Sequence, residues 1–435
     1  MSSDEICPEC NQKYSNIGFR WCKPCNSKNF QNDFNNWTSG KDKIDKFIQD
    51  AQLNANYYWE LIEWIPYNRF KDVKQIGKGG FGTIHYARWI GGYILEWDTE
   101  NQQWKRNRKD EEVALKKFDN FVNFNDVLNE MEIHLKTWTD NNYSPIRFYG
   151  ITQDPKTHSY MMVLQYAEDG NLREYLKINF NNINWYQKLE NLFYLSIDLK
   201  NIHELDIVHQ DFHPGNILSS DFKNDLQICD FGLSKLIEAN PNNPEKKNIF
   251  GVLPYIAPEV LGGEEYTKAA DVYSYGIIAY EMVTGFPPYP DIPHDKDLAM
   301  KICNGLRPKI PFHTPKLITR MIMRCWDARV THRPTFEELR DELLKYYDDY
   351  DDYLYNGTNK DSEIVIQIKK AEEFSANQKS TNATTTTPLN YQTHPQAIYT
   401  SRLLNYSKLP NPKNEENFER ELEELTESMS LLIRI

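Results

Sequence analysis

No stretch of the 435 residues is apolar for long enough to cross a bilayer, so a membrane-spanning helix is not expected. The opening residues, Met1 to Glu5, lack the basic and apolar regions of a secretory signal. Positive charge is not in excess either. Fifty Lys and Arg against 63 Asp and Glu leave a net charge of -13, which argues against a broad nucleic-acid surface. Cysteine is scarce, at seven residues, and Cys229, Cys303 and Cys325 sit in apolar or helical contexts, as core fillers do. A reducing compartment is therefore the expectation, cytoplasm first and nucleus as the alternative. What remains is an ordinary charged chain, 40% hydrophobic, long enough for two or more compact units.

The other four cysteines stand together as two Cys-x-x-Cys pairs, Cys7 with Cys10 and Cys22 with Cys25. Without an export signal this spacing reads as a metal site rather than a disulfide framework. Four thiolates suit tetrahedral, structural Zn²⁺, with Tyr14, Ile17, Phe19 and Trp21 as candidates to pack over it. Such a closed site has no open ligand position, so a ribbon over residues 1–30 is expected to dock a partner or stabilise rather than catalyse. Residues 31–69 read as a helical linker. Apolar residues from Ile44 to Ile62 recur near helical period between Ser39, a candidate cap, and about Trp64, with Pro66 as the stop.

Further along, three patterns carry phosphate chemistry. Ile76-Gly77-Lys78-Gly79-Gly80-Phe81-Gly82-Thr83-Ile84 is a glycine-rich turn whose backbone can approach phosphates. Val113-Ala114-Leu115-Lys116 follows, after a stretch that reads as an extended surface hairpin around Asp98 to Asn101. Then come His209-Gln210-Asp211-Phe212-His213-Pro214-Gly215-Asn216 and Asp230-Phe231-Gly232, two acidic turns, each next to a short apolar strand signal. Phosphoryl transfer needs positioning and charge neutralisation, which is what a lysine, two carboxylates and an amide oxygen supply.

In order and wording these motifs resemble those of the eukaryotic protein kinases, most like the tyrosine-kinase-like branch with serine/threonine activity. The resemblance covers residues 70–347. It implies an α+β, two-lobed protein kinase fold, a β-rich N-lobe and a helical C-lobe, that binds ATP and Mg²⁺ and phosphorylates protein substrates in intracellular signalling. By that resemblance Asp211 would orient the substrate hydroxyl, Asn216 and Asp230 would hold Mg²⁺, and Lys116 would bridge the phosphates. Lys116 would pair with Glu130, or failing that with Glu132. The nucleotide would lie among Ile76 to Gly82, Ile84, Ala114, Leu164, Gln165, Ala167 and Leu218. Glu259 would pair with Arg333, and Asp271 would brace the catalytic loop.

The departures matter as much. Gln210 replaces the usual arginine, and no Ser, Thr or Tyr lies between Ser234 and Tyr255. Activation by phosphorylation at the centre of that segment is therefore not expected. His213 replaces the lysine usual in serine/threonine kinases and Val252 the usual threonine. His213 would either contact the γ-phosphate or hydrogen-bond within its loop. The Asp-Phe-His-Pro-Gly-Asn wording also resembles small-molecule phosphotransferases of the wider superfamily, and a catalytically weak pseudokinase scaffold is the third reading. Residues 348–435 read as a mostly disordered tail: acidic and Tyr-rich at 348–352, Thr-rich at 384–387. A terminal amphipathic helix from Glu415 to Leu432 would follow, a short coiled-coil seam or a lone docking helix.

Overall fold

Residues 5–18, 20–79, 82–107, 109–118, 124–138, 145–236, 249–381, 392–406 and 408–432 are described by the computed structural model of the chain. They fall into two units, Met1–Tyr166 and Ala167–Ile435.

The first unit begins with the cysteine pairs, each at a tight turn closed by a single bridge, Ile6 to Lys13 and Asn16 to Trp21. Helix α1 (Lys23–Asp33) starts directly after Cys22, with Pro24 in its first turn, where the missing N–H costs nothing. Helix α2 (Asp42–Asn54) carries Asp42 and Asp45 at its positive end and buries Ile44 and Ile48. It stops ten residues short of the helix expected to reach Trp64. The Ala55 N–H closes the last turn on Ala51, but the Asn56 N–H turns away to the Glu60 carboxylate at 2.7 Å. Gln52 then straps the returning chain through the Ile62 carbonyl, 3.0 Å away. Nor does Ser39 cap the helix: its hydroxyl and its N–H both donate to Asp45, one turn in.

The returning chain becomes strand β1 (Glu63–Trp64), followed by β2 (Phe70–Gly79) and β3 (Gly82–Trp89). The hairpin β4 (Ile94–Asp98) and β5 (Gln103–Arg106) precedes β6 (Glu111–Phe118). Helix α3 (Phe124–Thr137) and strands β7 (Phe148–Gln153) and β8 (Tyr160–Gln165) complete the unit. Among the described residues one sheet has six strands in the order β1-β7-β8-β6-β3-β2, antiparallel except for β1 on β7. Gly150 is required at the parallel edge, because a Cβ there would sit 2.1 Å from the Glu63 carbonyl. One sheet face is a core of Ala87, Trp89, Val113, Leu115, Tyr149 and Val163 with their neighbours.

The expected surface hairpin forms, but it is covered rather than exposed. Trp104 of β5 stacks on Phe30 of α1 at 4.1 Å, in a cluster with Trp21, Ala55, Leu61 and Ile94. Trp21 is fully buried there and donates its indole N–H to the Ala55 carbonyl. Ile17, a second candidate to cover the metal site, is half exposed; Phe19 lies outside the described residues.

In the second unit, β9 (Gly170–Asn171), α4 (Leu172–Asn179) and α5 (Trp185–Glu204) lead into β10 (Ile207–Val208). Strands β11 (Ile217–Ser219), β12 (Gln227–Ile228), β13 (Lys235–Leu236) and β14 (Ile249–Gly251) follow. Then come α6 (Pro258–Leu261), α7 (Lys268–Thr284), α8 (Lys296–Cys303), α9 (Lys316–Cys325) and α10 (Phe336–Asp351). Leu192, Leu195, Leu199 and Ile202 of α5 are buried, as are Cys229, Cys303 and Cys325. No helix among the described residues is long and apolar enough to cross a membrane.

The tail departs from the expectation of general disorder. The acidic stretch from Asp348 belongs to α10, whose Tyr346 and Tyr350, four residues apart on one face, are both buried. Helix α11 (Glu363–Thr381) packs back through Ile364, Val365 and Ile368, and Gln367 accepts the Leu317 N–H at 2.9 Å. Composition averaged the charges and missed the apolar face. Strand β15 (Arg402–Leu404) and helix α12 (Phe418–Leu432) follow. Phe418 of α12 is buried, and Glu419 pairs with Arg329 at 2.8 Å. The threonine run at 384–387 lies outside the described residues.

Candidate active site

In the first unit, register places the nucleotide-side candidates together. Ile84 lies opposite Lys116, Tyr86 opposite Ala114, and Ala114 opposite Leu164. Because side chains alternate along a strand, Ile84, Ala114, Lys116 and Leu164 share one face, the face turned from the apolar core. The β2–β3 arm pairs Gly77 with Ile84, Lys78 with Thr83 and Gly79 with Gly82. Gly82 has no room for a side chain, since a Cβ would meet the Lys117 carbonyl at 2.1 Å. Ile76 is exposed. Gly80 and Phe81 lie outside the described residues. Gln165 ends β8, and its N–H already donates to the Arg147 carbonyl at 2.9 Å.

Lys116 is buried, and its ammonium donates to Glu130 Oε1, itself buried on α3. Glu130 and not Glu132 is the partner, for Glu132 is on the open side of α3 and pairs with Lys136 at 2.7 Å. Two residues along a helix turn a side chain by more than half a circle, so only one of the two glutamates can face the sheet.

In the second unit the catalytic-loop residues hang on one carboxylate. Asp271, near the start of α7, accepts the His209 N–H at 2.8 Å, the Gln210 N–H at 3.1 Å and a contact from His203 Nε2 at 2.9 Å. Gln210 can then adopt a left-handed φ of 68°, which turns Asp211 inward. His209 bridges the two acidic turns: its Nδ1 accepts the Asp211 N–H and its Nε2 donates to the Cys229 carbonyl. Burial holds its imidazole below the ordinary pKa, which keeps the neutral form that this pattern needs.

Asn216 donates Nδ2–H to the Asp211 carbonyl at 2.9 Å, so a cation would be met by its amide oxygen. The Asn216 carbonyl accepts the Cys229 N–H at 3.0 Å, next to Asp230, whose φ is 62°. Leu218 pairs with Gln227 and with Asn171, and Ala167 is buried at the start of the unit. Farther out, Arg333 clasps Glu259 through two 2.7 Å bonds and reaches the Ala269 carbonyl.

His213 Nδ1 accepts the Gly215 N–H at 3.0 Å, so its proton sits on Nε2. That proton points at the hydroxyl of Ser401, 3.0 Å away, and Ser401 in turn meets Asp211. Sequence reasoning missed Ser401. A lone serine in a polar tail carries no local signal, and its partners are 188 and 190 residues distant.

The thiols of Cys7, Cys10, Cys22 and Cys25 lie within 4.8 Å of one another, and none is in a disulfide. The Cys7–Cys25 and Cys10–Cys22 sulfurs are 3.8 and 3.6 Å apart. A tetrahedron of sulfurs about 2.3 Å from zinc has edges of about 3.8 Å, so the cluster fits that ion. Burial pushes the Cys22 thiol up to about 12, so a cation is needed to hold four thiolates here.

A lysine held by a helix glutamate and an aspartate seated on a braced loop define a protein kinase domain. The sequence profile of the protein tyrosine and serine/threonine kinase family matches residues 70–343, and the chain belongs to that family. It is 29% identical over 332 residues to a serine/threonine-protein kinase/receptor of Acanthamoeba polyphaga mimivirus, covering 73% of the chain and 18% of that relative. Tyrosine-protein kinase SPK-1 of Girardia tigrina is 28% identical over 281 residues, 62% of the chain and 52% of the relative. Stress-activated protein kinase alpha of Dictyostelium discoideum is 29% identical over 244 residues, 52% of the chain and 36% of the relative. The chain thus spans about half or less of the length of these curated relatives.

Proposed function

We propose that the protein is an ATP-dependent kinase that transfers the γ-phosphoryl group to serine or threonine hydroxyls of protein substrates, in a signalling role. The observation that carries this reading is the setting of Asp211, buried, tied to Asn216 and facing an aliphatic hydroxyl. Asp211 orients that hydroxyl and takes its proton. His213 donates to the same oxygen and stands in for the lysine that serine/threonine kinases usually carry. Lys116, fixed by Glu130, holds phosphate oxygens. Mg²⁺, when bound, neutralises phosphate charge; Asp230 and the Asn216 oxygen would hold it. The Arg333–Glu259 clasp and the Asp271 brace favour a protein substrate over a small one, and the full set of ionic groups disfavours a catalytically weak scaffold. Cys7, Cys10, Cys22 and Cys25 would hold a structural zinc that stiffens the segment around them.

The test is phosphate transfer from ATP with Mg²⁺ to a protein and peptide panel. Lys116→Met, Asp211→Asn and Asp230→Asn should each lower turnover by about 10²–10⁴-fold. Near-wild-type turnover in any of them, or labelling of tyrosine alone, refutes the reading.

A further inference from the structure

The tail does more than pack on the second unit. Strand β15 pairs antiparallel with β14, which lies in the stretch from Gly232 to Glu259 that corresponds to the activation segment of kinases, in the register Ile249–Leu404, Phe250–Leu403 and Gly251–Arg402. The residue just before this strand is Ser401, and its hydroxyl donates to Asp211 Oδ2 at 2.5 Å. Ser401 Oγ also receives the His213 Nε2–H, at 3.0 Å. The chain on either side is anchored as well. The Tyr399 ring lies under the Arg173 guanidinium at 4.4 Å, and its hydroxyl donates to the Pro288 carbonyl at 2.8 Å. His294 donates from its backbone to Gln396 and from Nδ1 to the Ile398 carbonyl at 2.9 Å, and Arg402 reaches back to the His294 carbonyl.

We propose that residues 394–406 are an intramolecular substrate: Ser401 is a site of self-phosphorylation, and until it reacts the segment keeps other proteins from Asp211. This rests on the kinase reading above and names a first substrate for it. Three features point the same way. Strand pairing supplies sequence-independent affinity, as it does when an extended peptide adds to a sheet edge. Anchors upstream and downstream fix the register, so one residue and not its neighbours meets the carboxylate. That residue has an aliphatic hydroxyl with its proton already on the Asp211 side. A segment built only to block would gain nothing from a serine there.

In the reaction, Ser401 Oγ attacks the terminal phosphorus of a nucleoside triphosphate. The Oγ–P bond forms as the bond from that phosphorus to the β–γ bridging oxygen breaks. The electron pair leaves with the nucleoside diphosphate, and the Ser401 proton passes to Asp211. The product sets a phosphate dianion against the Asp211 carboxylate. Like-charge repulsion then expels the strand and opens the site to other proteins. Self-phosphorylation thereby converts a blocked enzyme into an active one.

The experiment uses the full chain, stripped of phosphate by a general phosphatase that is then removed. It is given ATP and Mg²⁺ over a wide range of protein concentration, with casein as the second substrate. Phosphate should appear on Ser401, to about one per chain, at a first-order rate that dilution leaves unchanged, since the segment is tethered. Casein phosphorylation should show a lag that preincubation with ATP abolishes. Leu403→Pro disrupts the strand and Tyr399→Ala removes an anchor. Each should raise the initial casein rate of the stripped enzyme by roughly tenfold. Ser401→Ala should keep the strand in place and stay slow throughout. A wild-type casein rate that rises to its full value with no phosphate on Ser401 overturns the inference, as does a self-phosphorylation rate that falls on dilution. Equal initial rates in wild type and Leu403→Pro do so too. If neither of these two proteins phosphorylates casein or itself, the kinase reading falls and this one with it.

Discussion

Lys188 shows how much a single buried charge decides. It lies on α5, 7% exposed, with its nitrogen 3.2 Å from the Val283 carbonyl and near the rings of Phe180 and Trp185. Burial pushes its pKa down to about 7 from an ordinary 10.5. Between those two values the unfolded chain binds more protons than the folded one, so this group makes stability rise with pH across that window. Below about pH 7 both states carry the charge and the full cost of burying it remains. Lys188→Met should therefore gain about 1–3 kcal/mol at pH 7, read by urea unfolding, and its advantage should shrink toward pH 10. A variant that is weaker at every pH would show that the bond to Val283 outweighs desolvation. At this scale the sequence was legible wherever spacing carries chemistry. Lys116, Glu130, Asp211, Asn216 and Asp230 could be named as candidates because each sits in a short pattern with its own neighbours. Ser401 could not, because only the folded tail brings it to Asp211.

Elements were legible where one periodicity ruled and illegible where the chain changed partner. The strands around Lys116 and the helix that carries Glu130 follow alternation and helical period directly. Helix α2 ends early because Asn56 and Gln52 find partners outside the helix, a choice that hydropathy does not record. Strand β15 has three residues, too few for any period, and exists only as a partner of β14. The cysteine cluster was legible from spacing, but its bed was not: Phe30 and Trp21 cover Trp104 of the β4–β5 hairpin. A metal held by these cysteines would thus be mechanically linked to the hairpin. A strong chelator under reducing conditions should release about one zinc per chain. It should also weaken the near-ultraviolet dichroism of the stacked tryptophans and lower the first melting transition. Cys22→Ser should do the same. A chain purified with zinc supplied throughout that holds no metal and has four freely reactive thiols would end this assignment.

For the molecule as a whole, the question is what sets activity when the usual switch has no hydroxyl to act on. From residue 235 to residue 254 there is no Ser, Thr or Tyr, and Gln210 occupies the place where related enzymes carry a phosphate-reading arginine. The Gln210 N–H goes to Asp271, an ion-independent brace that holds the loop whether or not anything is phosphorylated. Regulation then passes to occupancy of Asp211 by the tail, and the two controls can be separated. In the Leu403→Pro chain the strand is released, so Ser401 no longer matters. Treating that variant with a general phosphatase should leave its casein rate within about twofold, because no phosphate in the activation segment is there to lose. The same treatment of ATP-preincubated wild type should restore the lag. A collapse of the Leu403→Pro rate, mapped to a modified residue between Ser234 and Tyr255, would return control to the activation segment and leave the tail as a second brake.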